Sequence, residues 1–185
     1  MSRRLLPVLL ALSALGAGAA VLPSPDEALR LAFGKDARFA VVSHWPDAEA
    51  RRRIAERSGG EPPPTTIRER RATDADGRDL GSGWFLRRRI RTHLGVFLIA
   101  ITPDGRVLRV EPVRFDEPRR YLPSRRWWRQ FEGLGLDDDL RLGGAVDAAS
   151  GATLTSRAAV DAVREALAVH EWARSTPPPE SAASR

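Results

Sequence analysis

The stretch from Trp84 to Val113 limits the fold more than any other part of this chain. Residues 93–102 form an apolar run rich in β-branched side chains, Pro103-Asp104-Gly105 supplies turn chemistry, and residues 106–113 alternate in part, with Val107, Leu108 and Val110 against Arg109 and Glu111. Such runs on either side of a turn favour paired strands with one face on a core. A β-hairpin is therefore expected, with Phe97, Leu98, Ile99 and Ile101 as packing residues. Shorter signals surround it. Residues 26–33 read as a short helix, Phe39, Val41 and Val42 as a strand, and residues 47–57 as a helix entered through Pro46. Residues 58–64 form a Gly- and Pro-rich loop, residues 66–70 a short strand, and residues 74–77 a turn. Over residues 158–170, Val160, Val163 and Leu167 lie near one face of an amphipathic helix. The expected fold class is α+β, a small antiparallel sheet with flanking helices.

Composition removes several kinds of chemistry. With 185 residues the chain suits one domain, and with no cysteine it has no disulfide, thiolate nucleophile, Fe–S cluster or Cys-ligated zinc. His44, His93 and His170 are too scattered in sequence to suggest a metal or haem site, so no metal ligand is assigned. The formal charge of +6 is almost wholly arginine, Lys35 being the one lysine. Two clusters, Arg51 to Arg53 and Arg87 to Arg89 with Arg91, suit phosphate, anionic lipid or an acidic protein, or simply face solvent. They come without a helix-turn-helix or RNA-binding signature, so no nucleic-acid partner is expected.

The first 22 residues are a separate object. Arg3 and Arg4 precede an uncharged run from Leu5 to Leu22 that ends in small residues, the pattern of a secretory signal peptide. An uncleaved membrane anchor is the rival reading, because the run is close to spanning length. Either places the folded part, residues 26–172, in the periplasm or on the outer face of the cytoplasmic membrane. Residues 173–185, with Pro177 to Pro179, read as a tail without fixed structure.

Two segments carry candidate chemistry. In residues 115–131, Ser124 is placed to cap a short helix bearing Trp127, Trp128 and Phe131 amid arginines. These aromatics suit either a planar ligand or docking of the segment on the sheet. Further on, Asp147-Ala148-Ala149-Ser150-Gly151-Ala152-Thr153-Leu154-Thr155-Ser156 puts hydroxyl and small residues in a turn directly before a helix. Gly151 permits close approach or positive φ, and exposed N–H groups at a helix start favour phosphate. An ordinary turn with Thr155 or Ser156 as helix cap fits the same residues. The lysine and glycine spacing of a P-loop are missing.

The stretch from Asp147 to Thr153 closely resembles the flavinylation motif of the FMN-binding domain family. That family includes subunits of sodium-translocating NADH:quinone reductases and of Rnf-type complexes, and the flavin domain of nitrous-oxide respiration regulators. The resemblance is strongest over residues 94–167. It implies FMN joined by a phosphoester to Thr153, with Asp147 as the motif aspartate, Ser150 as its hydroxyl position, Gly151 and Ala152 in the tight turn, and Thr155 and Ser156 leading into the helix. Where respiratory subunits carry a glycine-rich loop, this chain has residues 115–131. The resemblance further implies an extracytoplasmic electron carrier with no catalytic acid or base, matured by a flavin transferase that uses FAD and magnesium, and working with a membrane-associated redox protein or complex. Trp127 or Trp128 would stack on the flavin, and Arg91, Arg125 and Arg126 would balance its charge. A stable homo-oligomer is not expected. The alternatives are a non-flavin binding or assembly module of the same fold and a flavoenzyme acting on a small substrate. A Ser150 hydrolase has no serine–histidine spacing to support it.

Overall fold

The computed structural model describes residues 21–176. The N-terminal run therefore lies outside the described residues except for Val21 and Leu22, and so does the tail from residue 177. Five strands pair antiparallel in chain order: β1 (Arg38–His44), β2 (Ile67–Thr73), β3 (Asp79–Ile90), β4 (His93–Ile101) and β5 (Val107–Phe115). The expected α+β architecture is thus the observed one. Helix α1 (Pro25–Phe33) covers part of one sheet face, the short α3 (Arg125–Trp128) follows β5, and α2 (Ala48–Ser58) and α4 (Thr153–Ser175) form a layer on the other face. Among the described residues no helix is long and apolar enough to cross a membrane.

Local chemistry accounts for most of these boundaries. Ser24 accepts from the Glu27 N–H while Glu27 accepts from the Ser24 N–H, a capping box that starts α1 with Pro25 in its first turn. Asp47 caps α2, and Gly59 ends it in the left-handed region. The expected hairpin is β4 with β5. Its uninterrupted apolar run follows from burial on both faces: Phe97, Ile99 and Ile101 join the core beneath α4, while Leu98 packs with Ala28 and Leu29 of α1.

The 12-residue β3 is the element that sequence reasoning did not isolate. It holds two glycines and a run of three arginines, so alternation is hidden. Gly81 explains part of this, because its φ is +115° and a Cβ there would sit 2.0 Å from the Ile101 carbonyl oxygen. The main core joins Trp84, Phe97, Ile99, Val110, Trp128 and Phe131 to the Ala- and Val-rich face of α4. Small residues let α4 lie close to the sheet, and Val160, Val163 and Leu167 are all buried as the amphipathic pattern requires.

Candidate functional site

The motif stands at the junction between the segment after β5 and the start of α4. Gly151 has φ +73°, and the space where its Cβ would project is open. Its conformation, rather than crowding, is what asks for glycine. The turn closes through Ala152 N–H to the Ala149 carbonyl at 2.9 Å. α4 then begins at Thr153, two and three residues before Thr155 and Ser156, the capping positions considered from sequence, and runs on to Ser175. Ala173 to Ser175 of the expected tail therefore belong to this helix.

Thr155 and Ser156 lie inside the first turn and cap nothing. Ser156 Oγ donates to the Ala152 carbonyl and accepts from Ala149 N–H, each at 3.0 Å, tying the turn to the helix. Thr155 Oγ1 donates to the Tyr121 carbonyl at 2.8 Å, tying the helix to the segment after β5. Both side chains are buried, whereas Thr153 and Leu154 are exposed. No side chain caps the helix at Ala152. The leading N–H groups of α4 thus end beside the Thr153 hydroxyl without a capping oxygen, where the peptide dipoles favour negative charge.

Residues from two other parts of the chain, the β3–β4 turn and the segment after β5, share a cavity with Thr153. A small cavity of about 160 Å³ is lined by Ile90, Arg91, Glu117, Tyr121, Gly151, Thr153, Leu154 and Thr155. Arg91 lies in the β3–β4 turn with φ +53°, an uncommon conformation for a residue with a Cβ. Its guanidinium sits 4.8 Å from the Tyr121 ring centroid, and Arg120 lies 4.7 Å from the same ring. Hydrogen bonding and charge from Arg120 hold the Tyr121 phenol below its ordinary range. Glu117 is buried, with Oε1 3.3 Å from His93 Nδ1 but in poor hydrogen-bond geometry, so this oxygen lacks a donor.

The remaining expected residues are placed differently. Trp127 is buried and its indole N–H donates to the Asp147 carbonyl at 2.7 Å, while Gln130 Oε1 accepts from Asp147 N–H at 3.0 Å. Trp127 thereby anchors the start of the motif. Trp128 is buried against Phe97, with ring centroids 5.4 Å apart, and donates to the Pro123 carbonyl. A second, wider cleft of about 590 Å³ borders the motif on the Trp127 side, lined by Arg120, Arg126, Trp127, Gln130, Asp147, Ser150 and Ala152 among others. Arg126 belongs to that cleft, and Arg125 to another on the α1 side. Of the three arginines proposed from sequence, Arg91 is the one that lines the Thr153 cavity.

Tyr121, Glu117 and Leu154 were missed by sequence reasoning. Tyr121 is the single tyrosine and follows Arg119 and Arg120, which was a visible signal. Glu117 had none, because its importance depends on burial. Among the described residues no group of His, Asp and Glu could hold a metal ion.

The family model described as the FMN-binding domain matches residues 96–168. An FMN-binding domain is therefore present from within β4 to within α4, a stretch that includes the aromatic segment and the whole motif. No curated protein and no solved structure matches the chain.

Proposed function

We propose that the chain is an extracytoplasmic electron-transfer flavoprotein that carries FMN through a phosphoester to Thr153. One observation carries the reading: within the matched domain, Thr153 is the exposed hydroxyl at the uncapped start of α4, two residues after a left-handed glycine. Thr155 and Ser156 are spent on internal hydrogen bonds and cannot be reached.

The donor set fits the group. The leading N–H groups of α4 and the Arg91 guanidinium supply positive charge where a phosphate on Thr153 would need it. The donor-less Glu117 Oε1 is an acceptor that a ribityl hydroxyl would satisfy. When bound, FMN supplies the redox chemistry, and the protein supplies position and electrostatics. Trp127 and Gln130 hold both sides of the Asp147 peptide, so the motif's first residue is fixed while its carboxylate stays exposed for a flavin transferase using FAD and magnesium. Leu154, 45% exposed beside Thr153, offers apolar surface to a ring or to a membrane-associated redox partner.

Intact and peptide mass spectrometry after export in a host containing the transferase tests the proposal. A mass increase equal to FMN less one water, localised to Thr153 and lost in Thr153→Ala, is expected. An unmodified Thr153 beside a transferase shown to be active on another substrate overturns it and leaves a non-flavin binding module.

A further inference from the structure

The arginine cluster at residues 87–91 is split by the sheet. Arg88 faces α4 and pairs with Glu165 at 2.5 Å. Arg91 lies in the turn over Tyr121. Arg87 and Arg89, exposed on the opposite face, alternate with Phe85, which packs near α1. The β2–β3 register places Arg68 and Arg70 on that same face, and the Arg70 guanidinium lies 5.9 Å from the Phe85 ring centroid.

Four arginines thus share one face of two neighbouring strands. Among the described residues, Arg68, Arg87 and Arg89 have no acidic partner, and the contact of Arg70 is the Phe85 ring. The β5 part of the face is different. There Arg109 meets Glu111 at 3.6 Å and Arg114 meets Asp116 at 2.9 Å. Among the arginines of the strands on this face, the ones without an acidic partner therefore lie on β2 and β3, the part that α1, which contacts β4 and β5, leaves open. Like charges side by side on a sheet oppose folding unless an external anion balances them.

Aliphatic side chains accompany this charge. Val41, 57% exposed, shares the face through its pairing with Arg70. Leu31 projects from the outer side of α1, and Val21 precedes that helix, both well exposed. We propose that this face of β2 and β3, with Val41 and α1, rests on an anionic membrane surface. Arginine mixed with exposed aliphatics is the chemistry of an interfacial contact. Chain connectivity favours lipid over an acidic protein: the apolar run of residues 5–22 leads directly into α1, the helix on this face. In this orientation the α2 and α4 layer faces away from the bilayer. The proposal is independent of the flavin reading, since none of its residues lines the Thr153 cavity.

The natural lack of cysteine allows a site-specific test on the full chain. An environment-sensitive fluorophore is placed at Val41→Cys, or at Glu56→Cys on α2 as a reference, and the chain is reconstituted in vesicles containing brominated lipid. Strong quenching of the Val41 probe is expected in phosphatidylglycerol vesicles, with little in phosphatidylcholine, little at high salt and little for the Glu56 probe. Replacing Arg68, Arg70, Arg87 and Arg89 by Gln should abolish the difference between lipids, while replacing all four by Lys should keep it. Should the fourfold Gln variant fold poorly, Arg87→Gln with Arg89→Gln is expected to lose a substantial part of the quenching with an unchanged melting profile. Equal quenching in both lipids or at both probe sites overturns the proposal, as does full quenching in a folded Gln variant. So does no quenching in any lipid, which would leave the face to an acidic protein.

Discussion

The two ends of α4 solve opposite problems. Near its C-terminal end lies a closed polar cluster: Glu69, 1% exposed, accepts from His44 Nε2 at 2.8 Å, Ser82 Oγ at 2.5 Å and the Arg71 guanidinium at 2.9 Å. Burial pushes the Glu69 carboxyl up, but the bonds from His44, Arg71 and Ser82 outweigh it and hold the group at about 2. His170 lies nearby with both ring nitrogens unpartnered, its ring 6.3 Å from that of Trp84. At the N-terminal end, by contrast, Thr153 is exposed and its hydroxyl is unused. Charge is buried and satisfied at one end and left open at the other. Stability and the capacity for modification should therefore respond to different residues.

Substitutions can break that separation. The largest effect is expected from Glu69→Ala, which strands the buried donors His44 and Ser82 and should cost about 3–5 kcal/mol in chemical denaturation. Flavin carried per folded molecule should not change; a large loss there would show that the two ends are coupled. Next comes acid. Burial, aided by the Arg174 charge, depresses the folded-state value of His170 to about 4, below its ordinary value. The unfolded chain therefore binds the proton first, and stability falls as pH drops from about 6.5 through 4, by roughly 3 kcal/mol. Glu69 contributes in the same direction at lower pH, through stability present above about 4.3 and lost as pH falls through its folded value. His170→Leu should flatten the upper part of this profile while leaving stability at pH 7 unchanged or higher, because two orphaned nitrogens are removed. A profile identical to the parent would show that His170 is not the titrating group.

At the motif end the expected effects are smaller. Trp127→Phe keeps the packing against Phe131 but removes the donor to the Asp147 carbonyl, for a cost of about 1–2 kcal/mol. Hydrogen exchange at residues 147–152 should accelerate more than in the sheet, and a uniform change would deny the anchoring role. Thr153→Ala should be the mildest, within about 0.5 kcal/mol by thermal or chemical unfolding, because it removes an exposed hydroxyl without a hydrogen-bond partner. A larger loss would mean that the hydroxyl has a structural duty.

Much of the scaffold was legible from local pattern. The β4–β5 hairpin, α1 and α2 followed from alternation, turn residues and helix-forming composition, all of which act over a few positions. The start of α4 did not, because Thr155 and Ser156 resemble caps until their partners, the carbonyls of Tyr121 and Ala152, are known. β3 was obscured by glycines whose need comes from a neighbouring strand. At the site, the motif itself was readable, and Arg91 was named without its position.

The residue order of this chain determined a sheet-and-helix domain, removed cysteine chemistry, and set a glycine turn and hydroxyls before a long helix. These are short-range consequences of side-chain shape and backbone freedom. Tertiary structure alone decided which hydroxyl stays exposed, which arginines are paired and which carboxylates are buried. Arg88 finds Glu165 across 77 positions of chain, while Arg87 and Arg89 turn to the other face. Pairing and burial depend on the distance and dielectric between remote segments, quantities that come into existence only when the sheet and α4 have packed.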